Sequence, residues 1–203
     1  MEIKEKILLK ANELFLRNGI KDTTMDNIAK ALGISKKTLY AHFEGKDHLV
    51  YETVKHFYGL LKSKLDEICQ MELDPYEEFF VIRRIMREFL GNAQISPQYQ
   101  LKKYYPDLAE ELEQKKFENI MNCLGRNLAR GIEKGYYKKN LDTEFIKRLY
   151  FGNSMLLGNP ELFPPEKFDR YRMSNAFMKF FLHGISTKAG RKRLKEIEKK
   201  YGL

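Results

Sequence analysis

Apolar residues recur at three- and four-residue spacing along most of this chain, which is the period of amphipathic helices. Ile3, Ile7, Leu8, Ala11, Leu14 and Phe15 predict a helix over about residues 2–18, stopped by Gly19. Met25, Ile28, Ala29 and Leu32 form a second, shorter stripe, and Leu39 and Phe43 lie four apart on a third. Leu49, Val50, Val54, Phe57, Leu61, Leu65 and Ile68 predict a long fourth helix from about Lys46 to Gln70. Pro75 opens a helix ending near Gly91 that is apolar nearly all round, the usual mark of a central element. A short segment follows Pro97, and Pro106 starts a long helix reaching Gly135. Asp142 caps a helix from Thr143 to about Gly158, and the loop NPELFPP separates it from a last helix over about 166–186. No strand pattern, repeat or Gly/Ser linker interrupts the series, so the fold class is all-α.

The stretch TTMDNIAKALGISKKTLYAHF, from Thr23 to Phe43, carries the most chemistry. Thr24 stands at the N-cap of the second helix, with an incomplete capping box because Asn27 occupies the position where Glu or Gln is stronger. Ala29 is small enough for close helix approach. Gly33 ends the helix, Ile34 fills the corner and Ser35 caps the next helix. With Leu39 and Phe43 facing the core, Lys36, Lys37, Thr38, Tyr40 and His42 are left on the other faces. Two short helices with this turn and polar set form a helix-turn-helix, whose second helix enters the DNA major groove.

Residues 7 to 49 closely resemble the N-terminal domain of the TetR family of bacterial transcriptional repressors. The resemblance is carried by Ile7, Leu8, Ala11, Leu14, Phe15, Gly19, Thr23, Thr24, Ile28, Ala29, Gly33, Ser35, Thr38, Leu39, Tyr40, His42, Phe43, Lys46 and Leu49. It implies that Thr24, Thr38, Tyr40, His42 and Lys46 hold phosphates, while Ser35, Lys36 and Lys37 begin the recognition helix within reach of base edges. Phosphate contacts set register and affinity, and base contacts supply specificity. Lys37 departs from the family, which often has glycine there, so its operator preference is its own. A weaker resemblance, over Tyr104 to Asp142, implies a helical ligand pocket and a dimerisation face without identifying a ligand.

The expected organisation is a DNA-binding domain over 1–46, a ligand-binding and dimerisation domain over 47–187, and a basic C-terminal extension over 188–203. The net charge of +9 suits a polyanionic partner. Yet the segment 188–200 holds +5 of it and residues 1–48 only +2, so the motif is the better evidence for DNA. The resemblance places the C-terminus away from the reader, so the tail is expected to be a solvated extension with Leu194, Ile197 and Tyr201 on one face. Cys69 and Cys123 have no metal-ligand spacing and are expected to be free thiols in a reducing cytoplasm. No apolar run approaches the length needed to span a bilayer.

Met86, Phe89, Tyr104, Phe117 and Met121 are candidates to line a cavity for a small, mostly apolar effector. Phe145, Leu149, Gly152 and Leu156 share one helical face, and Phe177, Phe181 and Ile185 another; two such hairpins about a two-fold axis give a four-helix homodimer interface. That symmetry matches a palindromic double-stranded operator. His48, His56 and His183 form no ligand-binding or acid–base pattern, and Gly125, Gly131 and Gly135 suit close helix approach, a bend and a C-cap. No catalytic constellation, metal motif or cofactor site is expected. The expected function is a ligand-responsive DNA-binding transcriptional regulator, a repressor released by its effector. The alternative is a helical small-molecule or lipid-binding protein, or an enzyme, with a vestigial helix-turn-helix.

Overall fold

A computed structural model describes residues 2–91, 93 and 96–201. Its helices are α1 (Ile3–Asn18), α2 (Met25–Leu32), α3 (Lys36–His42), α4 (Lys46–Gln70), α5 (Pro75–Leu90), α6 (Pro97–Tyr104), α7 (Pro106–Glu133), α8 (Thr143–Leu156), α9 (Arg170–Ile185) and α10 (Lys188–Lys200). The only pairing outside helices among the described residues is an antiparallel bridge between Tyr137 and Ser186. The chain divides into two compact units, residues 1–63 with 88–111 and residues 64–87 with 112–203.

In the first unit α1 packs on α2 and α2 on α3. Ile7, Ala11, Ile28, Leu39 and Phe43 are almost completely buried, as their spacing requires. The α2 N-terminus is better made than the sequence suggests. Thr24 N–H donates to Asn27 Oδ1 at 2.9 Å and Asn27 N–H to Thr24 Oγ1 at 3.1 Å, so the capping box closes with asparagine in the reciprocal role. Gly33 ends α2 at φ 66°, a left-handed conformation that costs a glycine little.

The second unit is built on Tyr76, Phe79, Phe80, Leu124, Leu128, Tyr137, Phe181, Leu182 and Ile185. A buried polar string crosses it. Tyr137 Oη donates to Asn127 Oδ1 at 3.0 Å, Asn127 Nδ2 donates to Glu78 Oε1 at 3.0 Å, and Glu78 pairs with Arg130. Desolvation pushes the Glu78 carboxyl above its ordinary range, opposed by the Asn127 hydrogen bond and the Arg130 charge. At Gly131 an added Cβ would lie 2.1 Å from the Tyr137 ring, so only glycine permits this approach.

Three expectations are corrected here. Residues 188–200 are not a solvated extension: they form α10, whose Leu194 and Ile197 join the core at 0% and 3% exposure. Burying two such side chains is worth about 1.5–3 kcal/mol each, enough to outweigh the pull of the lysines toward water. Cys69 and Cys123 are not free thiols but a disulfide, with Cα atoms 5.9 Å apart, joining the last turn of α4 to α7. Finally, α5 is buried only in its first half, at Pro75, Tyr76, Glu78, Phe79 and Phe80, because Arg83, Arg84, Arg87 and Glu88 interrupt the apolar face beyond.

Candidate nucleic-acid interface

The recognition helix is short and held at both ends. Ser35 Oγ accepts the Thr38 N–H at 3.0 Å and shares a 2.8 Å hydrogen bond with Thr38 Oγ1. At the far end the Phe43 N–H closes on the Leu39 carbonyl, and both side chains sink into the core. This anchoring fixes which face is left outward. Lys36, Lys37 and Tyr40 are exposed, Tyr40 by half, and His42 and Thr38 are half-exposed.

The eight residues expected to meet DNA are not equally available. Lys37, Tyr40 and His42 have no side-chain partner among the described residues. Lys36 Nζ pairs with Asp26 of α2, an exposed ion pair of the kind worth at most about 1 kcal/mol and so readily given up. Thr24 spends its hydroxyl on Asn27, at 2.7 Å. Lys46 donates its ammonium to the Lys21 carbonyl at 2.7 Å, and desolvation holds its pKa below the usual lysine value against the opposing pull of Asp22 and Asp47. In this conformation Lys46 therefore pins the 19–22 loop as well as opening α4.

Supports that the sequence did not reveal lie beyond the motif. The Ile20 N–H donates to Gln100 Oε1 at 2.6 Å, and Tyr105 Oη donates to Asp47 Oδ1 at 2.8 Å. Residues around α6 thus hold both the loop after α1 and the first turn of α4. Separations of 80 and 58 residues leave no local signal for either contact. His48 accepts the Glu44 N–H at 3.2 Å and packs edge-on against Phe43, a structural role.

The effector candidates divide between the units. Phe89 and Tyr104 belong to the first, and Met86, Phe117 and Met121 to the second. None is fully buried. Phe117 meets Phe151 edge-to-face, with ring centroids 5.2 Å apart. Tyr104 instead borders a cleft of about 500 Å³ in the first unit with Ile20, Lys21, Lys46, Asp47 and Tyr105.

On α8, Phe145, Leu149 and Leu156 are 59%, 49% and 46% exposed, and Gly152 is open. On α9 the register differs from expectation. Phe181 and Ile185 are core residues and Phe177 packs against that core. The outward apolar residue is Phe180, 79% exposed. The run FMKFFLHGI is aromatic on several sides, so periodicity alone did not select the face.

Donor atoms of Cys69, Glu78 and Cys123 lie within 4.8 Å of one another. The sulfurs are bonded together and the carboxylate is held by Asn127 and Arg130, so the cluster is a crosslink beside an ion pair. Among the described residues no helix is long and apolar enough to cross a membrane.

Comparison with known proteins agrees with this geometry. Residues 7–53 match the family described as bacterial regulatory proteins, tetR family. The fatty acid metabolism regulator protein of Bacillus subtilis is 23% identical over 186 residues, covering 90% of this chain and 95% of that protein. The HTH-type transcriptional repressor KstR2 of Mycobacterium tuberculosis is 28% identical over 152 residues, covering 70% of this chain and 73% of the relative. The crystal structure of FadR from Bacillus subtilis in complex with stearoyl-CoA superposes with a TM-score of 0.64 at 22% identity, over 89% of this chain and 98% of that one. The relatives are transcriptional regulators, which sets aside an enzyme with a vestigial helix-turn-helix. With a capped recognition helix, a polar outward face and these relatives, residues 7–53 form a DNA-binding domain of the tetR family of bacterial regulatory proteins, and the chain is a DNA-binding transcriptional regulator.

Proposed function

We propose that this regulator is a cytoplasmic repressor that binds a palindromic operator as a homodimer and is released by a molecule with a long apolar body. The observation that carries the DNA reading is the outward set Lys37, Tyr40 and His42 on a helix fixed at both ends. Residues 1–46 serve as the reader, with Ser35, Lys36 and Lys37 at base edges and Thr24, Thr38, Tyr40, His42 and Lys46 at phosphates. Residues 47–187, extended by α10, carry the effector and the dimer face. That face is formed by Phe145, Leu149, Gly152 and Leu156 together with Phe180, and its exposed apolar side chains support pairing with a second copy.

The relatives support a fatty-acyl class of effector. One is named for fatty acid metabolism and another was crystallised with stearoyl-CoA. A fatty-acyl ligand suits the half-buried Met86, Phe117 and Met121. Coupling to DNA runs through α4, one uninterrupted helix from Lys46 to Gln70 whose last turn is bonded to α7 at Cys123. A ligand seated on α7 shifts that turn. Tilting α4 then alters the separation of the two recognition helices, which half-sites spaced by whole helical turns do not tolerate.

Linkage makes this testable, since the operator must weaken ligand binding by the same factor as ligand weakens operator binding. Titration of stearoyl-CoA into the protein, with and without operator, should give unequal affinities. Met121→Trp should abolish the difference while leaving operator affinity intact. Equal affinities in the wild-type protein would overturn the release mechanism.

A further inference from the structure

Six of the seven cations of α10 fall into two sets, with Lys199 outside both. Arg193 Nε bonds Asp74 Oδ2 at 2.9 Å and its Nη1 bonds Glu196 Oε2 at 2.9 Å, and Lys200 pairs with Glu77. The pairs with Asp74 and Glu77 dock the helix against the start of α5. The helix's other acid, Glu198, faces His183 at 4.0 Å. Lys188, Arg191, Lys192 and Lys195 form the second set, with no ion-pair partner among the described residues. Their spacing of three and four puts them on one face of the helix, where like charges repel.

That face borders an open cleft of about 680 Å³, lined on another side by Lys138. No acidic residue lines it. Its floor is rigid: Thr187 N–H donates to the Tyr136 carbonyl at 2.9 Å, Lys138 N–H to the Ile185 carbonyl at 2.9 Å, and Thr187 Oγ1 to the Gly135 carbonyl at 2.7 Å. Lys138 Nζ reaches over it to the Gly184 carbonyl at 2.6 Å. An open concavity lined by five cations and no counter-charge fits a compact polyanion. Its volume lies in the range of small-molecule sites.

We propose that this cleft binds a small molecule carrying two or more adjacent phosphates, independently of the DNA reader and of the apolar effector. Two neighbouring phosphates place enough oxygens to meet Lys188, Arg191, Lys192 and Lys195 together, where one phosphate reaches only some of them. Arg191 supplies the planar fork that fits phosphate oxygens, and the lysines supply point charges.

The test is calorimetric titration of the full chain with inorganic pyrophosphate at constant ionic strength, beside orthophosphate and ADP. The expected result is saturable binding of one pyrophosphate per chain, tighter than about 1 mM and about tenfold tighter than orthophosphate. ADP binding at least as well as pyrophosphate would mark a nucleotide as the source, and weaker ADP binding a free polyphosphate. Lys192→Gln/Lys195→Gln, both surface changes, should weaken pyrophosphate about tenfold or more, with the circular dichroism and operator affinity unchanged. Lys199→Gln, on the same helix away from the cleft, should change nothing. Absence of saturable pyrophosphate binding, equal loss in Lys199→Gln, or a double variant that loses duplex DNA instead of pyrophosphate would each overturn the proposal.

Discussion

Tyr40, His42 and Lys37 lie within six consecutive residues of α3, yet they should fail differently. Tyr40→Phe and His42→Ala remove groups suited to phosphate, so binding should weaken by a similar factor on every duplex tested. Lys37→Ala removes a long, unpaired cation from the front of the helix, and base preference should change, by about 1–3 kcal/mol at the affected position. Affinities measured on a panel of single-base operator variants separate the two patterns. A uniform loss from Lys37→Ala would place Lys37 on the backbone. A second residue-scale expectation concerns Lys116, half-buried in the second unit. Desolvation lowers its pKa from 10.5 to about 8, assisted by Arg170 and opposed by Glu113. The folded state therefore holds fewer protons than the unfolded chain between these values, and stability rises as pH climbs through that window. The melting temperature of the wild type should gain on that of Lys116→Met from pH 8 toward 10.5; parallel curves would show that Lys116 is not the titrating group.

At the level of elements, legibility followed the caps. Thr24, Gly33, Ser35 and Asp142 mark helix ends in the sequence, and α2, α3 and α8 begin where those residues say. Where a cap was passed over, the boundary slipped: Asp169 accepts the Arg172 N–H at 2.7 Å and starts α9 at Arg170, four residues beyond the expected start. The tail was misread because seven of the thirteen residues of α10 are basic and only Leu194 and Ile197 announce a core face. The Cys69–Cys123 bond had no signature at all, since its partners are 54 residues apart and spacing does not reveal pairing. A crosslink closing a loop of that length should contribute about 2–4 kcal/mol to the second unit. Urea unfolding with and without a reductant measures it, and Cys69→Ser/Cys123→Ser should be insensitive to the reductant. Coincident transitions for the oxidised and reduced wild type would contradict the assignment.

For the whole molecule, the part that reads DNA was legible and the assembly only partly so. The reader is local: its cap, turn and stripe lie within 21 consecutive residues, from Thr23 to Phe43. The proposed dimer face depends on which side of α9 packs inward, and Phe177, Phe180 and Phe181 are equally apolar until the fold chooses. The choice has a measurable consequence. Leu149→Asp/Phe180→Asp changes exposed side chains and should yield a folded monomer by light scattering. Phe181→Ala should keep the dimer but cost about 3–5 kcal/mol through the cavity it leaves. A dimer that survives the double substitution would move the interface elsewhere.

The proposed regulation depends on the outward face of α3 reading a specific two-fold DNA sequence. Selection of bound duplexes from a random pool tests it most directly. The expected outcome is enrichment of a palindromic or near-palindromic site, bound with an affinity that falls steeply as salt rises because cations are released from the phosphates. A pool that emerges with no sequence preference, from wild-type protein that is folded and dimeric, would contradict it.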